Sequence, residues 1–251
     1  MNYLITASIV LLGALIKGST GFGFSMTALP LLVFQFTVKT VVPIITIWSL
    51  TTSLIIILQK KSFAVNRENY KIIHWGALGT IIGTIFLAHV DEKFLTLIVA
   101  IIFAGLTILS LAGVQFKMRH RKIATIRTGL LSGILAGSIT ISGPPITLFL
   151  NALKISKEEF REIFAQFDLF TSSVALIGFS MAGLITYRIV FLAVIFIPMI
   201  YLGTFLGKRI NLLIPQQAFR TLNLFLSLVS CLLLMGGSKN SFFQYSSVKF
   251  F

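Results

Sequence analysis

The chain has 251 residues, of which 56% are hydrophobic and only 11% are charged, and its mean hydropathy is +0.97. A soluble domain carries about 25% charged residues, so this composition excludes an ordinary soluble globular protein. Apolar runs long enough to cross a hydrocarbon core of about 30 Å recur along the chain, without the alternation of polar and apolar residues typical of a β-barrel. The sequence therefore predicts an all-α, polytopic helical membrane protein.

The formal net charge of +14 comes from basic residues in short segments between the apolar runs. In a membrane protein such residues set orientation, so we expect no nucleic-acid partner. The single cysteine, Cys231, excludes an intramolecular disulfide and a cysteine-pair metal site, and we expect no cofactor. Residues 1–17 have no basic region before their apolar stretch. We interpret them as the first membrane segment rather than as a cleaved signal peptide.

Eight apolar runs are predicted, at 4–36, 41–58, 71–88, 94–115, 127–150, 163–183, 189–207 and 217–235. The first would measure about 50 Å as a straight helix, which is too long for one crossing. It contains KGSTGFGF (17–24), and the fifth run contains GSITISGPP (137–145). Because Gly and Pro free the backbone from helical pairing, both stretches predict a broken helix beside protein or a watery cavity. The alternative is a pair of glycine-rich contacts between straight helices.

Three pairs of similar stretches predict an internal repeat. They are ALIKGST (14–20) with GILAGSI (133–139) at an offset of 119, WSLTTS (48–53) with DLFTSS (168–173) at 120, and GTIIG (79–83) with GTFLG (203–207) at 124. The pairs occur in the same order, and the offset grows slowly. Internal repeats are typical of secondary transporters, whose binding site lies where the repeats meet.

The side of the membrane on which each Lys and Arg residue lies depends on whether the first and fifth runs cross the membrane or turn back within it. Lys17 lies within a run and is not counted. If each run crosses once, twelve of the other Lys and Arg residues are cytoplasmic and eight are outside, whereas with two re-entrant hairpins the numbers are fifteen and five. The positive-inside bias favours the hairpins. We therefore predict two inverted four-run repeats, at 1–120 and 121–240, with a short peripheral tail at 241–251. Both termini would lie outside, and the two hairpin tips would meet near the midplane.

Such hairpin tips predict an anion site. Unpaired backbone N–H groups and helix N-termini attract anions, and nearby hydroxyls add further donors. The predicted substrate-binding residues are Lys17, Gly18, Ser19, Thr20, Gly21, Gly23, Gly137, Ser138, Thr140, Ser142, Gly143 and Pro144.

The two glycine-rich stretches also carry a family resemblance. GALIKGSTGFGFSMTALPLL (13–32), SGILAGSITISGPPITLFL (132–150) and the GTxxG motifs at 79–83 and 203–207 resemble the sulfite exporter TauE/SafE family, also called the toluene sulfonate uptake permease group. The resemblance covers nearly the whole chain. It implies a multi-pass permease of the cytoplasmic membrane for sulfur-containing anions or organic acids, such as sulfite, thiosulfate and sulfonates. Glycine patterns identify the family better than the substrate.

The chain departs from the family pattern at both tips. The first tip reads GFGF instead of a run of glycines, and the second has Ser142-Gly143-Pro144-Pro145 where three glycines are commoner. Both changes narrow or stiffen the tip. The family's thiosulfate importers are associated with cysteines along the path, and the solitary Cys231 counts against that mechanism here.

Two ionisable residues lie within apolar runs, where a charge costs about 2.5–3.5 kcal/mol on insertion scales. Asp168 is the main predicted proton-coupling or gating residue. The other residues predicted to take part in coupling or gating are Gln166, Ser49, Thr52 and Ser172. The alternative for Asp168 is a structural ion pair or polar helix contact. Lys17 is predicted to neutralise a bound anion or to pair with Asp168, and its alternative is to extend toward the membrane surface.

The leading functional prediction is a proton-coupled secondary transporter of a small sulfur-containing anion in the lipid bilayer. The alternatives are an anion channel and a transporter of a small carboxylate. An enzyme or accessory subunit is poorly supported, because an enzyme would need several clustered His, Asp or Cys residues. The sequence leaves the direction of transport and a homodimeric assembly open.

Overall fold

The computed structural model describes residues 3–33, 35–59, 67–91, 121–153 and 155–213, with isolated positions 94–95, 97–98, 101 and 105. In these ranges the chain is all-α, without a strand, as the sequence predicts. The nine helices are α1 (Tyr3–Thr20), α2 (Phe24–Leu32), α3 (Val38–Leu58), α4 (Arg67–His89), α5 (Arg121–Ile139), α6 (Gly143–Ala152), α7 (Lys157–Met181), α8 (Tyr187–Ile195) and α9 (Ile197–Leu213).

The helices match six of the eight predicted runs. The second, third and sixth runs form α3, α4 and α7, and the first and fifth runs each form a long helix followed by a short one. In the described residues, four helices are long and apolar enough to cross a membrane: α1, α3, the greater part of α4, and α7. The predicted run at 217–235 lies outside the described residues, and the run at 94–115 is described only at scattered positions.

The seventh run differs from its prediction, because it is bent rather than straight. It forms α8 and α9, which meet at Phe196 with an angle of 44° and together are long enough for one more span. Pro198 lies in the first turn of α9 and has no N–H to donate to the preceding turn, which explains the bend. This proline was visible in the sequence but was not used as a break signal.

The first predicted break, between α1 and α2, is present. The backbone of Gly21 and Gly23 is left-handed, with φ of 88° and 94°, and the Gly21 N–H donates to the Lys17 carbonyl at 2.7 Å. A Cβ atom on Gly13 would lie 3.5 Å from the carbonyl oxygen of Phe24. Since a helix rises about 1.5 Å per residue, Phe24 would lie about 16 Å further on if α1 continued, so the chain turns back at this break.

The second predicted break, between α5 and α6, has a similar backbone but no glycine at its turn. Thr140 has φ of 59°, and its N–H donates to the Ala136 carbonyl at 3.0 Å. Left-handed backbone is an outlier for a β-branched residue. Two prolines, Pro144 and Pro145, then lie in the first turn of α6, where their missing N–H groups cost nothing because that turn has no intrahelical acceptors for them.

Glycine-lined contacts join α1 to α9 and α4 to α5, which are the two most extensive helix pairs among the described residues. A Cβ on Gly18 would lie 2.7 Å from the Thr204 carbonyl oxygen, and a Cβ on Gly137 would overlap the Thr80 carbonyl oxygen. Small residues let membrane helices approach this closely. The chain therefore contains both helix breaks and glycine-rich helix contacts, which the sequence alone presented as alternatives.

The described part of the molecule has an apolar outside and a partly polar inside. Large apolar side chains such as Leu4, Ile177 and Met181 are more than half exposed, while many Ser and Thr side chains are buried. A soluble protein rarely exposes so much contiguous apolar surface. This distribution, with the spanning helices, agrees with a membrane protein whose polar groups face the bundle interior.

Candidate functional site

The central feature of the bundle is a buried ion pair between α1 and α7. Lys17 Nζ lies 2.6 Å from Asp168 Oδ2, and the two side chains are only 1% and 8% exposed. The sequence predicted this pairing as one of two roles for Lys17. Charges in a membrane interior are rare and mark functional sites by default, so the pair is the natural starting point for the site.

Lys17 has a hydrogen-bond acceptor for each of its three ammonium protons. Besides Asp168, Nζ donates to the Ser49 carbonyl oxygen at 2.9 Å and to Ser49 Oγ at 2.6 Å. These contacts place α3 beside α1 and α7 at the level of the pair. A fully satisfied ammonium can remain charged in a buried position.

Asp168 is held by two hydroxyls of α3. Ser53 Oγ donates to Oδ2 at 2.8 Å, and Ser49 Oγ lies 3.0 Å from Oδ2 and 3.2 Å from Oδ1. Ser49 has one hydroxyl proton, which it shares between the two carboxylate oxygens while its oxygen accepts from Lys17. Oδ2 thus accepts the shorter contacts, whereas Oδ1 accepts only the 3.2 Å contact from Ser49 among the described residues. Oδ1 is therefore the carboxylate oxygen with fewer hydrogen bonds.

A small cavity lies beside the ion pair, where the two helix breaks meet. Its volume of about 10 Å³ has room for about one water molecule. It is enclosed by residues 22–26 of the first break and residues 140–143 of the second, together with Phe164. Of the predicted site residues, those that line the cavity are Lys17, Gly23, Ser49, Thr140, Ser142, Gly143 and Asp168.

Thr140 gives this cavity an unused polar group. Its Oγ1 atom is buried and has no hydrogen-bond partner in the described part of the chain. The residue also has the left-handed backbone of the second break. Buried polar atoms without partners are uncommon, and strained residues persist mainly where the surroundings or the function require them. The Thr140 hydroxyl is therefore available to a molecule in the cavity.

Several predicted binding residues support the backbone instead of lining the cavity. Ser19 Oγ donates to the Ile16 carbonyl at 2.8 Å and Ser138 Oγ to the Ile134 carbonyl at 2.7 Å, each within its own helix. The Thr20 hydroxyl contacts the carbonyl oxygens of Ile16 and Phe22 and so holds the turn of the first break.

The remaining predicted residues lie near the site without lining it. Gly18 and Gly137 form the helix contacts described above, and Gly21 packs against α7. Thr52 donates to the Trp48 carbonyl of its own helix at 2.8 Å. The others, which are absent from the cavity lining, are Pro144, Gln166 and Ser172.

Two aromatic clusters adjoin the cavity. In the first, named the Phe22 cluster, the Phe22 ring lies 5.9 Å from that of Phe160 and 5.4 Å from that of Phe164. In the second, named the Trp48 cluster, the Trp48 ring lies 6.1 Å from that of Phe24 and 5.8 Å from that of Phe196. Trp48 also donates its indole N–H to the Ala193 carbonyl, which fixes the ring.

The two clusters lie on opposite sides of the ion pair. The Phe22 cluster contacts α7 at positions that precede Asp168, toward the helix start. The Trp48 cluster borders a separate apolar cavity that includes Thr6, Val41 and Ile44, which precede Lys17 in α1 and Ser49 in α3. Since α3 and α7 run antiparallel, with Ser53 at Asp168 and Ile56 packed on Ala165, these positions lie on the far side of the pair.

Three contacts of the site were missed in the sequence. Ser53 Oγ donates to Asp168, and Asn211 Nδ2 donates to the Ser19 carbonyl at the end of α1. Arg161 lies in the charged segment EEFRE (158–162), yet two of its nitrogen atoms are buried. A buried Arg in a charged segment has no sequence signal of its own, because burial depends on the neighbouring helices.

A comparison with protein families gives one result. The family model of the sulfite exporter TauE/SafE family matches residues 5–234, which is most of the chain. No curated protein and no solved structure matches the chain closely enough to count as similar. The matched region includes both helix breaks, the ion pair and the cavity. This chain therefore belongs to the sulfite exporter TauE/SafE family of membrane transporters.

Proposed function

We propose that the protein is a proton-coupled secondary transporter of a small sulfur-containing anion, such as sulfite, thiosulfate or an organosulfonate, across the cytoplasmic membrane. The family supports transport of this substrate class. The observation that carries the proposal is the buried Lys17–Asp168 pair beside a cavity lined by both helix breaks. A positive charge, hydroxyls and a proton acceptor meet there in one place.

The charge of the site supplies the reason for coupling. An ammonium and a carboxylate in contact are neutral together, and an added anion would bring an uncompensated charge into a buried site. If Asp168 takes up a proton at Oδ1, Lys17 is released to bind one monovalent anion, and the site is neutral again. One proton would therefore accompany each bound monovalent anion.

The aromatic clusters supply barriers for alternating access. In this proposal, Phe22 and its α7 neighbours close the path on one side of the pair, and the Trp48 cluster closes it on the other. Phe22 and Phe24 belong to the same break, so a movement of this short segment would affect both barriers together. A carrier opens to one side of the membrane at a time and never exposes the ion pair to both sides at once, which distinguishes it from a channel.

The inverted repeat remains part of the proposal, and matched contacts support it. Gly18 contacts Thr204, and Gly137 contacts Thr80. These are equivalent positions, since Gly18 and Gly137 differ by the repeat offset of 119 and Thr80 and Thr204 by 124. Each broken helix thus packs against the GTxxG helix of the other unit. The cytoplasmic side would be the basic one that contains the start of α7.

The two other candidate functions differ from this proposal in what drives flux and what is carried. An anion channel would conduct without proton dependence and would tolerate loss of Asp168. A carboxylate transporter would use the same hydroxyls and ammonium, which bind carboxylates as well as sulfonates. The buried Lys17–Asp168 pair favours a carrier, because it lines the cavity at the place where a channel would need an open path.

Uptake into proteoliposomes tests the proposal. Labelled sulfite, thiosulfate, methanesulfonate and acetate would be supplied with and without a proton gradient, with protein-free vesicles as the control. We expect a sulfur-containing anion to accumulate, and the accumulation to grow with the gradient. A preference for acetate would show that the substrate is a carboxylate instead of a sulfur-containing anion. Flux of sulfur-containing anions that does not depend on the proton gradient would indicate a channel instead of a carrier.

A further inference from the structure

One charged group of α7 is not used by the central site. Arg161 has its Nε and Nη2 atoms buried, and neither has a hydrogen-bond partner among the described residues. These two nitrogen atoms form one edge of the planar guanidinium, and their N–H bonds point the same way. Burying charged hydrogen-bond donors without an acceptor costs free energy, and a bound ligand that accepts from them would offset this cost.

The position of Arg161 is fixed by the first helix break. A Cβ on Gly21 would lie 2.8 Å from Arg161 Cα and 3.0 Å from its Cγ. Gly21 also has a left-handed φ of 88°, so both its conformation and its neighbour require glycine. The tip of the break therefore packs directly on the backbone that carries the guanidinium.

Carboxylates of the same helix do not occupy this edge. Glu158 precedes Arg161 by three residues, but its Oε1 lies 3.9 Å from Lys157 Nζ and its side chain is 60% exposed. Glu159 and Glu162 are the other acidic residues of this turn, and neither is a hydrogen-bond partner of Nε or Nη2. Among the described residues, the donor edge therefore has no protein acceptor.

Arg161 is separated from the central ion pair by the Phe22 cluster. Arg161, Phe164 and Asp168 share one face of α7, because residues spaced by three and seven lie on the same side of a helix. The rise of about 1.5 Å per residue places Arg161 about 10 Å from Asp168 along the axis. Phe164 lies between them and contacts Phe22. A ligand on Arg161 would therefore occupy a separate site.

We propose that the Nε and Nη2 edge of Arg161 binds a small oxyanion in a bidentate manner, as a second anion site outside the Phe22 cluster. A sulfite, sulfonate or carboxylate group has two oxygen atoms at the spacing that this edge matches. The role of this site as a waiting position for the substrate rests on the proposed transport function, whereas the binding itself does not. A phospholipid headgroup has the same oxyanion chemistry, and the experiment separates the two sources.

Equilibrium binding of methanesulfonate to the purified chain, without a membrane gradient, tests the site. The background is the Lys17→Met/Asp168→Leu variant, in which the central pair is replaced by apolar side chains. We expect this variant to bind methanesulfonate, and Arg161→Gln in the same background to bind it at least about tenfold more weakly, since charge-assisted hydrogen bonds are lost. Arg161→Lys should lie nearer to Gln than to Arg, because Lys has no bidentate edge.

The control is Arg127→Gln, which removes the same charge from an exposed position of α5 and should leave the affinity unchanged. Equal affinity in the Arg161 and Arg127 variants would overturn the proposal. Binding that appears in detergent but is lost in vesicles containing phosphatidylglycerol would assign the edge to a lipid headgroup and overturn the soluble-anion site. Absence of transport in proteoliposomes, with binding at Arg161 intact, would reject the proposed function and leave this site in place.

Discussion

The two helix breaks share a backbone turn and differ in the side chains around it. Gly21 and Thr140 occupy equivalent positions of the predicted repeat, both have positive φ, and both donate an N–H to the carbonyl four residues before. The first break has Lys17 in the preceding turn, where the second has Ala136. The left-handed backbone turn thus occurs in both breaks, whereas the lysine occurs only in the first. The site between the breaks is therefore asymmetric.

The asymmetry extends to the helices that face the breaks. In the repeat, Asp168 on α7 corresponds to Trp48 on α3, so one unit supplies the acid and the other a bulky indole. The charged pair lies at the cavity, whereas the indole packs against Phe24 and Phe196. In the transporter that we propose, a duplicated scaffold would in this way hold one binding site and two different barriers.

The largest expected effect comes from breaking the pair. Lys17→Met leaves Asp168 buried without its main partner and should lower the free energy of unfolding by about 3–5 kcal/mol. The Lys17→Met/Asp168→Leu double variant should recover most of this loss, because neither charge is left alone. Unfolding in detergent measures both, and a double variant as unstable as the single one would show that the two charges do not interact. Neither variant should transport.

A second prediction compares the two turns directly. Gly21→Ala places a Cβ at positive φ and against the Arg161 backbone, and the left-handed conformation alone costs about 1–2 kcal/mol. Thr140→Gly removes the same kind of strain and should leave the unfolding free energy no lower than that of the wild type. Loss of the Thr140 hydroxyl should nevertheless weaken substrate affinity in uptake assays. Equal destabilisation by both changes would contradict the assignment of strain to Thr140.

The glycine-lined contacts give a third, symmetric prediction. Gly18→Ala and Gly137→Ala each force a methyl group onto a carbonyl of a facing helix, and overpacking of this kind costs about 1–3 kcal/mol. Both variants should lower the melting temperature by similar amounts, because the contacts are equivalent. Gly105→Ala, which has nothing within 4 Å, is the matched control. A loss in only one of the two variants would speak against the repeat.

The smallest expected effect concerns a matched pair of serines. Ser53→Ala removes a hydroxyl that donates to Asp168, and should cost about 1 kcal/mol in unfolding free energy. Ser173, at the equivalent position, donates to the Leu169 carbonyl of its own helix, so Ser173→Ala should cost less. Calorimetry in the same detergent can rank the losses of unfolding free energy in the two variants. A larger loss for Ser173→Ala than for Ser53→Ala would show that the Ser53 hydroxyl does not stabilise Asp168.

The helix breaks and the intramembrane charges were predictable from the sequence, whereas the contacts between helices were not. Glycine and proline in KGSTGFGF and GSITISGPP predicted both breaks, because backbone freedom is a local property. Intramembrane charges predicted Asp168 and Lys17 as important residues, since such charges need a partner. Their exact hydrogen bonds to Ser49 and Ser53, and the buried edge of Arg161, depend on how α3 and the first break pack on α7.

The sequence overestimated the number of residues that face the cavity. It assigned every glycine and hydroxyl near a break to the site, but Gly18 and Gly137 are needed for close helix packing, and Ser19 and Ser138 bond their own helices. A glycine pattern indicates that some group approaches the backbone closely, but it does not distinguish a neighbouring helix from a ligand. Contacts between helices decide this, and a single sequence does not contain them.

The most direct test of the central claim uses Asp168→Asn in proteoliposomes, where two kinds of flux are measured on the same vesicles. An amide cannot take up the coupling proton, so we predict that accumulation driven by a proton gradient is lost while exchange of labelled for unlabelled anion persists. Persistent exchange also shows that the variant is folded. If Asp168→Asn still accumulates the anion against its gradient as well as the wild type does, Asp168 is not the coupling group.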